Sequence, residues 1–143
     1  MVHFFIIMRV YYLDSTVRGE VVLHINPNIS IFIQLADYLR IGIYSGTRKP
    51  GSKIESIRDM AIELEVNPNT IKRVYQELLD EGLIETHGTL GNFVTNDFNL
   101  IQTRKRIFLN EKTKDYINTL TSCNENIEFF NEYIENHKKE IYN

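Results

Sequence analysis

Apolar positions along this chain recur mostly at steps of three and four, the mark of helices with one buried stripe. Phe32, Leu35, Leu39 and Ile43 share one face, which predicts a helix from a cap at Ser30 to about Ser45. Gly42 is a mild interior defect in it, and Gly46 closes it. Ile57, Met60, Ala61 and Leu64 predict a short second helix capped by Ser56. Ile71, Val74, Leu78 and Leu79 predict a third, with Asn67 as cap, Pro68 in the first-turn slot that needs no N–H, and Gly82 as stop. Only the tight link Glu65-Val66 separates the second and third helices. Beyond Gly82, a Gly-punctuated turn between Leu83-Ile84-Glu85-Thr86 and Asn92-Phe93-Val94 reads as a short β-hairpin.

Both ends depart from this pattern. Val21–Ile25 reads as a short strand ended by Asn26-Pro27-Asn28, and Met1–Leu13 is an apolar and aromatic run broken by Arg9. That run lacks a basic leader and is shorter than the roughly 20 residues of a membrane span, so neither a secretory signal nor an anchor is expected. Two readings stay open for it: a strand hairpinned onto Val21–Ile25 across Asp14–Gly19, or translation that starts at Met8 or later. After Asn96 two more helices are predicted, roughly Leu100–Thr121 and Glu125–Tyr142, parted by Ser122-Cys123-Asn124. In the second, Ile127, Phe130, Ile134, His137 and Ile141 form the seam of a helix that packs on another helix. Helices this short enclose little core alone, so the seam is expected to be a homodimer interface.

The predicted architecture is mainly α with a small β-wing. It comprises a strand-like N-terminal extension (1–20), a winged helix-turn-helix (21–97) and a two-helix C-terminal dimerisation segment (98–143). The third helix carries the chemistry. With its apolar stripe inward, Thr70, Lys72, Arg73 and Gln76 face outward, a mixture of amide, hydroxyl and cationic groups that suits base edges and phosphates in a major groove. Double-stranded DNA is therefore the expected partner.

The overall charge pulls the other way. A net charge of −3 and a pI near 5.8 lack the basic excess common in nucleic-acid binders. DNA binding then requires segregation, with Arg48, Lys49, Lys53, Arg58, Lys72 and Arg73 on one face and the acids elsewhere. The alternative is a winged-helix protein-interaction module whose cations are dispersed in salt bridges. The single cysteine, Cys123, supports no disulfide framework, and a reducing cytoplasm is the simplest compartment. His3, His24, His87 and His137 are scattered without metal-ligand spacing, so neither a metal nor a cofactor is expected. The chain has no phosphate cradle, nucleophile elbow or HExxH, so it does not read as an enzyme.

Several spaced elements resemble the GntR family of bacterial transcription regulators. They are Ser45-Gly46, Lys49-Pro50-Gly51-Ser52-Lys53, Ile54-Glu55-Ser56-Ile57-Arg58 and Val66-Asn67-Pro68-Asn69-Thr70-Ile71, followed by Tyr75-Gln76-Glu77-Leu78, Glu81-Gly82-Leu83-Ile84-Glu85-Thr86 and Gly91-Asn92-Phe93-Val94. The Val-Asn-Pro-Asn-Thr run and brief helical tail are most similar to the YtrA-type subgroup. The resemblance implies a dimeric repressor on a palindromic operator, with the third helix in the major groove and the wing against the neighbouring minor groove or backbone. Carried onto this chain, the DNA-binding residues are Ser56, Arg58, Asn67, Asn69, Thr70, Lys72 and Arg73, with His87 and Gly88 in the wing tip His87-Gly88-Thr89-Leu90-Gly91. A small-molecule effector, named by no residue, is placed in the cleft between the tail helices and the winged domain. Two positions depart from the pattern: the wing has only His87 where basic residues are common, and Glu55 stands where proline is usual.

Overall fold

The computed structural model describes residues 26–141, with the side chains of His137, Lys139, Glu140 and Ile141 outside that description. The strands expected at Met1–Leu13 and Val21–Ile25 also lie outside the described residues. The elements run α1 (Ile31–Tyr44), α2 (Ile57–Glu63), α3 (Pro68–Asp80), β1 (Ile84–Thr86), β2 (Asn92–Val94), α4 (Phe98–Ser122) and α5 (Ile127–Ile141). One core joins them, with Leu35, Leu39 and Ile43 of α1 against Met60 and Ala61 of α2, Ile71, Val74, Tyr75 and Leu78 of α3, and Leu83, Ile84, Val94 and Ile101 beyond. Mainly α with a small β-wing is thus the observed architecture. Phe32, Ile57, Leu64 and Leu79 of the expected stripes are only partly buried at its rim.

The start of α1 differs from expectation. Ser30 makes no side-chain cap. Instead the buried Gln34 amide donates to the carbonyls of Asn26 and Ile29 at 2.8 and 2.7 Å, and its oxygen accepts from the Asn26 N–H at 2.7 Å. A longer side chain one turn inside the helix therefore ties down the incoming backbone.

The helix-turn-helix is closed by short-range chemistry. The Ser56 hydroxyl accepts from the Asp59 N–H at 3.1 Å and donates to the Asp59 carboxylate at 2.7 Å, which caps α2. Glu65 adopts φ 53°, and the Val66 N–H donates to the Ala61 carbonyl at 3.0 Å, so four residues turn the chain into α3. At the far end of α3 the N–H groups of Gly82 and Leu83 donate to Leu79 and Leu78 carbonyls, the two bonds of a Schellman stop. Gly82 supplies the required φ of 75°.

In the wing, β1 and β2 pair antiparallel with Ile84 opposite Val94, Glu85 opposite Phe93 and Thr86 opposite Asn92. A single 3-10 turn over Gly88–Leu90 connects them. The segment before α2 does more than connect. Lys53 bridges Phe93, Ile54 N–H donates to the Asn92 carbonyl, and Val94 N–H donates to the Ser52 carbonyl, both at 2.9 Å. It thus lies along the free edge of β2. Tyr75 fastens the same segment to α3, its buried hydroxyl donating to the Glu55 carbonyl at 2.8 Å.

Helix α4 begins two residues before its expected start, capped by Asp97, whose carboxylate accepts from the Leu100 N–H at 2.9 Å. Its first half belongs to the winged core through Ile101. Arg104 donates to the Glu81 carbonyl at 3.0 Å and Lys105 to the Tyr44 carbonyl at 3.1 Å, so α4 cations satisfy carbonyls at the C-terminal ends of α3 and α1.

Two stability outcomes follow from this geometry. Gly82→Ala forces a Cβ into the left-handed region and within 2.9 Å of a Leu100 methyl carbon, and should cost about 1–2 kcal/mol in urea unfolding. Tyr75→Phe leaves the Glu55 carbonyl without its donor and should cost about 1–3 kcal/mol in the same assay.

Candidate nucleic-acid interface

The candidate interface is built around the start of α3. Asn67 accepts from the Asn69 N–H at 2.8 Å through its side-chain oxygen, so it caps the helix while remaining exposed. With Ile71, Val74, Tyr75 and Leu78 buried, the 100° step of the helix places Asn69, Lys72, Arg73 and Gln76 on the opposite side. Asn69, Lys72 and Arg73 are exposed and Thr70 is half-buried. From α2, Arg58 is exposed one turn after the Ser56 cap. Among the described residues no acid lies within ion-pair distance of Arg58, Lys72, Lys49 or Lys53.

Several acids of the region are engaged elsewhere, whereas Glu63 and Glu65 are exposed. Asp59 is turned onto the Ser56 hydroxyl. Glu55, the acid in place of the usual proline, pairs with Arg48 at 2.6 Å. That pair neutralises the acid, and it also withdraws Arg48 from the cations that DNA binding was expected to need on one face. Glu77 and Glu81 both bind Arg40 of α1, Glu77 standing one turn beyond Arg73 on the flank of α3 that meets α1. Burial alone would push the Arg40 guanidinium down, yet its bonds to Glu81 and Glu77 carry it above its ordinary value.

Arg73 is placed differently from Lys72. Its guanidinium stacks 4.6 Å from the centre of the Phe32 ring, so it leans from α3 towards α1. In the wing, the His87 ring lies on Phe93 with centroids 4.7 Å apart and planes at 17°. Its Nε2 is 3.4 Å from a Glu85 oxygen, while the other Glu85 oxygen accepts from the Thr95 hydroxyl at 2.5 Å. The Thr95 hydroxyl, and then His87, hold the Glu85 carboxyl below the usual carboxylate range. Gly88 stands open at the tip with φ 53°. Of the expected site, Arg58, Asn69 and Lys72 are exposed in one motif, Thr70 is half-buried, Ser56 and Asn67 are spent on their caps, Arg73 stacks on Phe32, and His87 is held within the hairpin.

The tail leaves its apolar seam uncovered. Ile127 and Ile134 are 38% and 41% exposed and Phe130 is half-buried, while neighbouring Phe129 is 67% exposed. The side chains of His137 and Ile141, the remaining members of that seam, lie outside the described residues. Between α1, the end of α3 and α4 lies a cleft of about 380 Å³ lined by Phe32, Arg40, Glu77, Phe108, Glu111 and Lys112 among others. Among the described residues no helix is long and apolar enough to cross a membrane.

Comparison with known proteins agrees with this layout. The model of the gntR family of bacterial regulatory proteins matches residues 33–94, from α1 to the end of the wing. The HTH-type transcriptional regulator YhcF of Bacillus subtilis is 32% identical over 87 residues, which are 61% of this chain and 72% of that one. The HTH-type transcriptional repressor YtrA of the same organism is 34% identical over 77 residues, 52% of this chain and 59% of its own length. A GntR family transcriptional regulator from Listeria monocytogenes superposes with a TM-score of 0.71 at 28% identity, over 78% of this chain and 98% of that one. The chain belongs to the GntR family, as a YtrA-like, DNA-binding transcription regulator.

Proposed function

We infer that this protein represses transcription in the cytoplasm by occupying a palindromic operator as a homodimer, with one α3 helix in each half-site. The observation that carries the reading is the exposed group Arg58, Asn69 and Lys72, whose cations have no acidic partner among the described residues. Lys72 and Arg58 supply phosphate contacts, and Asn67, Asn69 and Thr70 supply short polar groups that reach base edges or backbone from the first turn of α3. Dispersed, salt-bridged cations would instead have favoured a protein-binding surface. The dimer reading is supported by the uncovered seam of Ile127, Phe130 and Ile134, which a second copy would bury. Two-fold symmetry then sets the recognition helices roughly 34 Å apart or a multiple of that. The 380 Å³ cleft supports an effector site, because Glu77 in its wall belongs to the recognition helix.

Fluorescence anisotropy against the chain's own upstream promoter duplex and a scrambled duplex tests the reading at two salt concentrations. Promoter-selective binding that weakens steeply with salt is the expected result, and equal, feeble binding to both duplexes counts against it. Lys72→Ala should weaken operator binding and make the salt slope shallower by about one unit per protomer, with its circular dichroism unchanged. Ile134→Glu should shift the chain to a monomer in sedimentation velocity, and a persistent dimer would move the interface away from α5.

A further inference from the structure

The wing carries no cation of its own that is free to meet a phosphate. Its charged groups from Ile84 to Val94 are Glu85 and, when protonated, His87. These two face each other at 3.4 Å, with His87 stacked on Phe93 and Glu85 bonded to Thr95. A wing that touches DNA would therefore present a held carboxylate and a stacked imidazole to a polyanion.

Lys53 reaches the wing from outside the hairpin. Its backbone bridges Phe93 along the free edge of β2, flanked by the 2.9 Å bonds of Ile54 to Asn92 and Val94 to Ser52. Its side chain crosses the hairpin beside the turn: the Cε stands 3.4 Å from where a Cβ on Gly91 would be, and Gly91 has φ 103°. Lys53 is exposed, and among the described residues no carboxylate lies within ion-pair distance of it. The same strand-like segment continues directly to the Ser56 cap and Arg58.

The geometry points to Lys53 as the wing's DNA contact, with its ammonium meeting a phosphate oxygen of the backbone beside the hairpin. This rests on the DNA-binding reading above. A lysine ammonium is a point charge, so the contact contributes affinity and register without reading sequence. It also accounts for a wing that lacks basic residues of its own, because the charge is delivered from the α1–α2 connection through the β2 edge.

Anisotropy titrations of the full chain carrying Lys53→Ala, Lys53→Gln or Lys53→Arg test it on the upstream and scrambled duplexes. Near 0.1 M salt, loss of one phosphate contact should weaken binding about eightfold per protomer on both duplexes, with a salt slope shallower by about 0.9 per protomer. Lys53→Arg should retain most of the affinity, and thermal melts should match the parent chain. Unchanged binding by Lys53→Ala, alongside weakened binding by Lys72→Ala, overturns the Lys53 contact and leaves the DNA-binding reading intact. Weakening on the upstream duplex alone also overturns it, since a phosphate contact is blind to sequence. A parent chain that binds neither duplex overturns both.

Discussion

Everything in this structure depends on α3 burying one side completely while leaving the other without neutralising partners. Ile71, Val74, Tyr75 and Leu78 are all at or below 2% exposure, so the helix cannot rotate without exposing core. That fixed rotation decides which residues face solvent, and therefore that Asn69 and Lys72 do. Tyr75 extends the constraint to its neighbours. Its hydroxyl holds the Glu55 carbonyl, and burial pushes the phenol well above its ordinary value, so it remains a donor throughout the physiological range. One buried side chain thus fastens α3 to the segment that starts α2.

Acidic residues are arranged so that a net negative chain keeps a usable cationic face. Several acids near the helix-turn-helix have a local engagement: Glu55 with Arg48, Asp59 with the Ser56 cap, Asp80 with Gln76, Glu77 and Glu81 with Arg40, while Glu63 and Glu65 stay exposed. Asp37 takes Arg40 at 3.1 Å and Lys112 of α4 at 2.6 Å, which links the tail to the same network. Pairing of this kind removes an acid's field over a short range while adding nothing to the total charge. Net charge is consequently a poor guide to what this protein binds, and segregation by pairing is the better one.

The network also ties the tail mechanically to α3. Arg104 binds the carbonyl that ends α3, and Arg40 bridges α3 to α1 beside the cleft where α4 passes. A shift of α4 would be felt at α3 through these bonds. The winged domain and the first half of α4 behave as one packed body, because Ile101 is core to both.

Much of this was legible in the residues themselves, where the information is local. Capping by Asn67 and Ser56, the Gly82 stop, the hairpin and the two tail helices each rest on residues within a turn of one another, so spacing predicts them. Ser30 failed as a cap because Gln34, a residue with no capping signature, satisfied the same backbone from inside the helix. Tyr75 escaped the predicted stripe because a tyrosine at that step also suits a surface, and only its distant carbonyl partner brings it inside. The pairing of Glu55 with Arg48 and the passage of Lys53 over Gly91 were beyond reach for the same reason. The sequence by itself determined the helices, the caps of α2 and α3 and which side of α3 is polar, since those follow from near neighbours and periodicity. Only the tertiary structure decided which charges are free, because an ion's partner is chosen by elements that meet across the fold rather than along the chain.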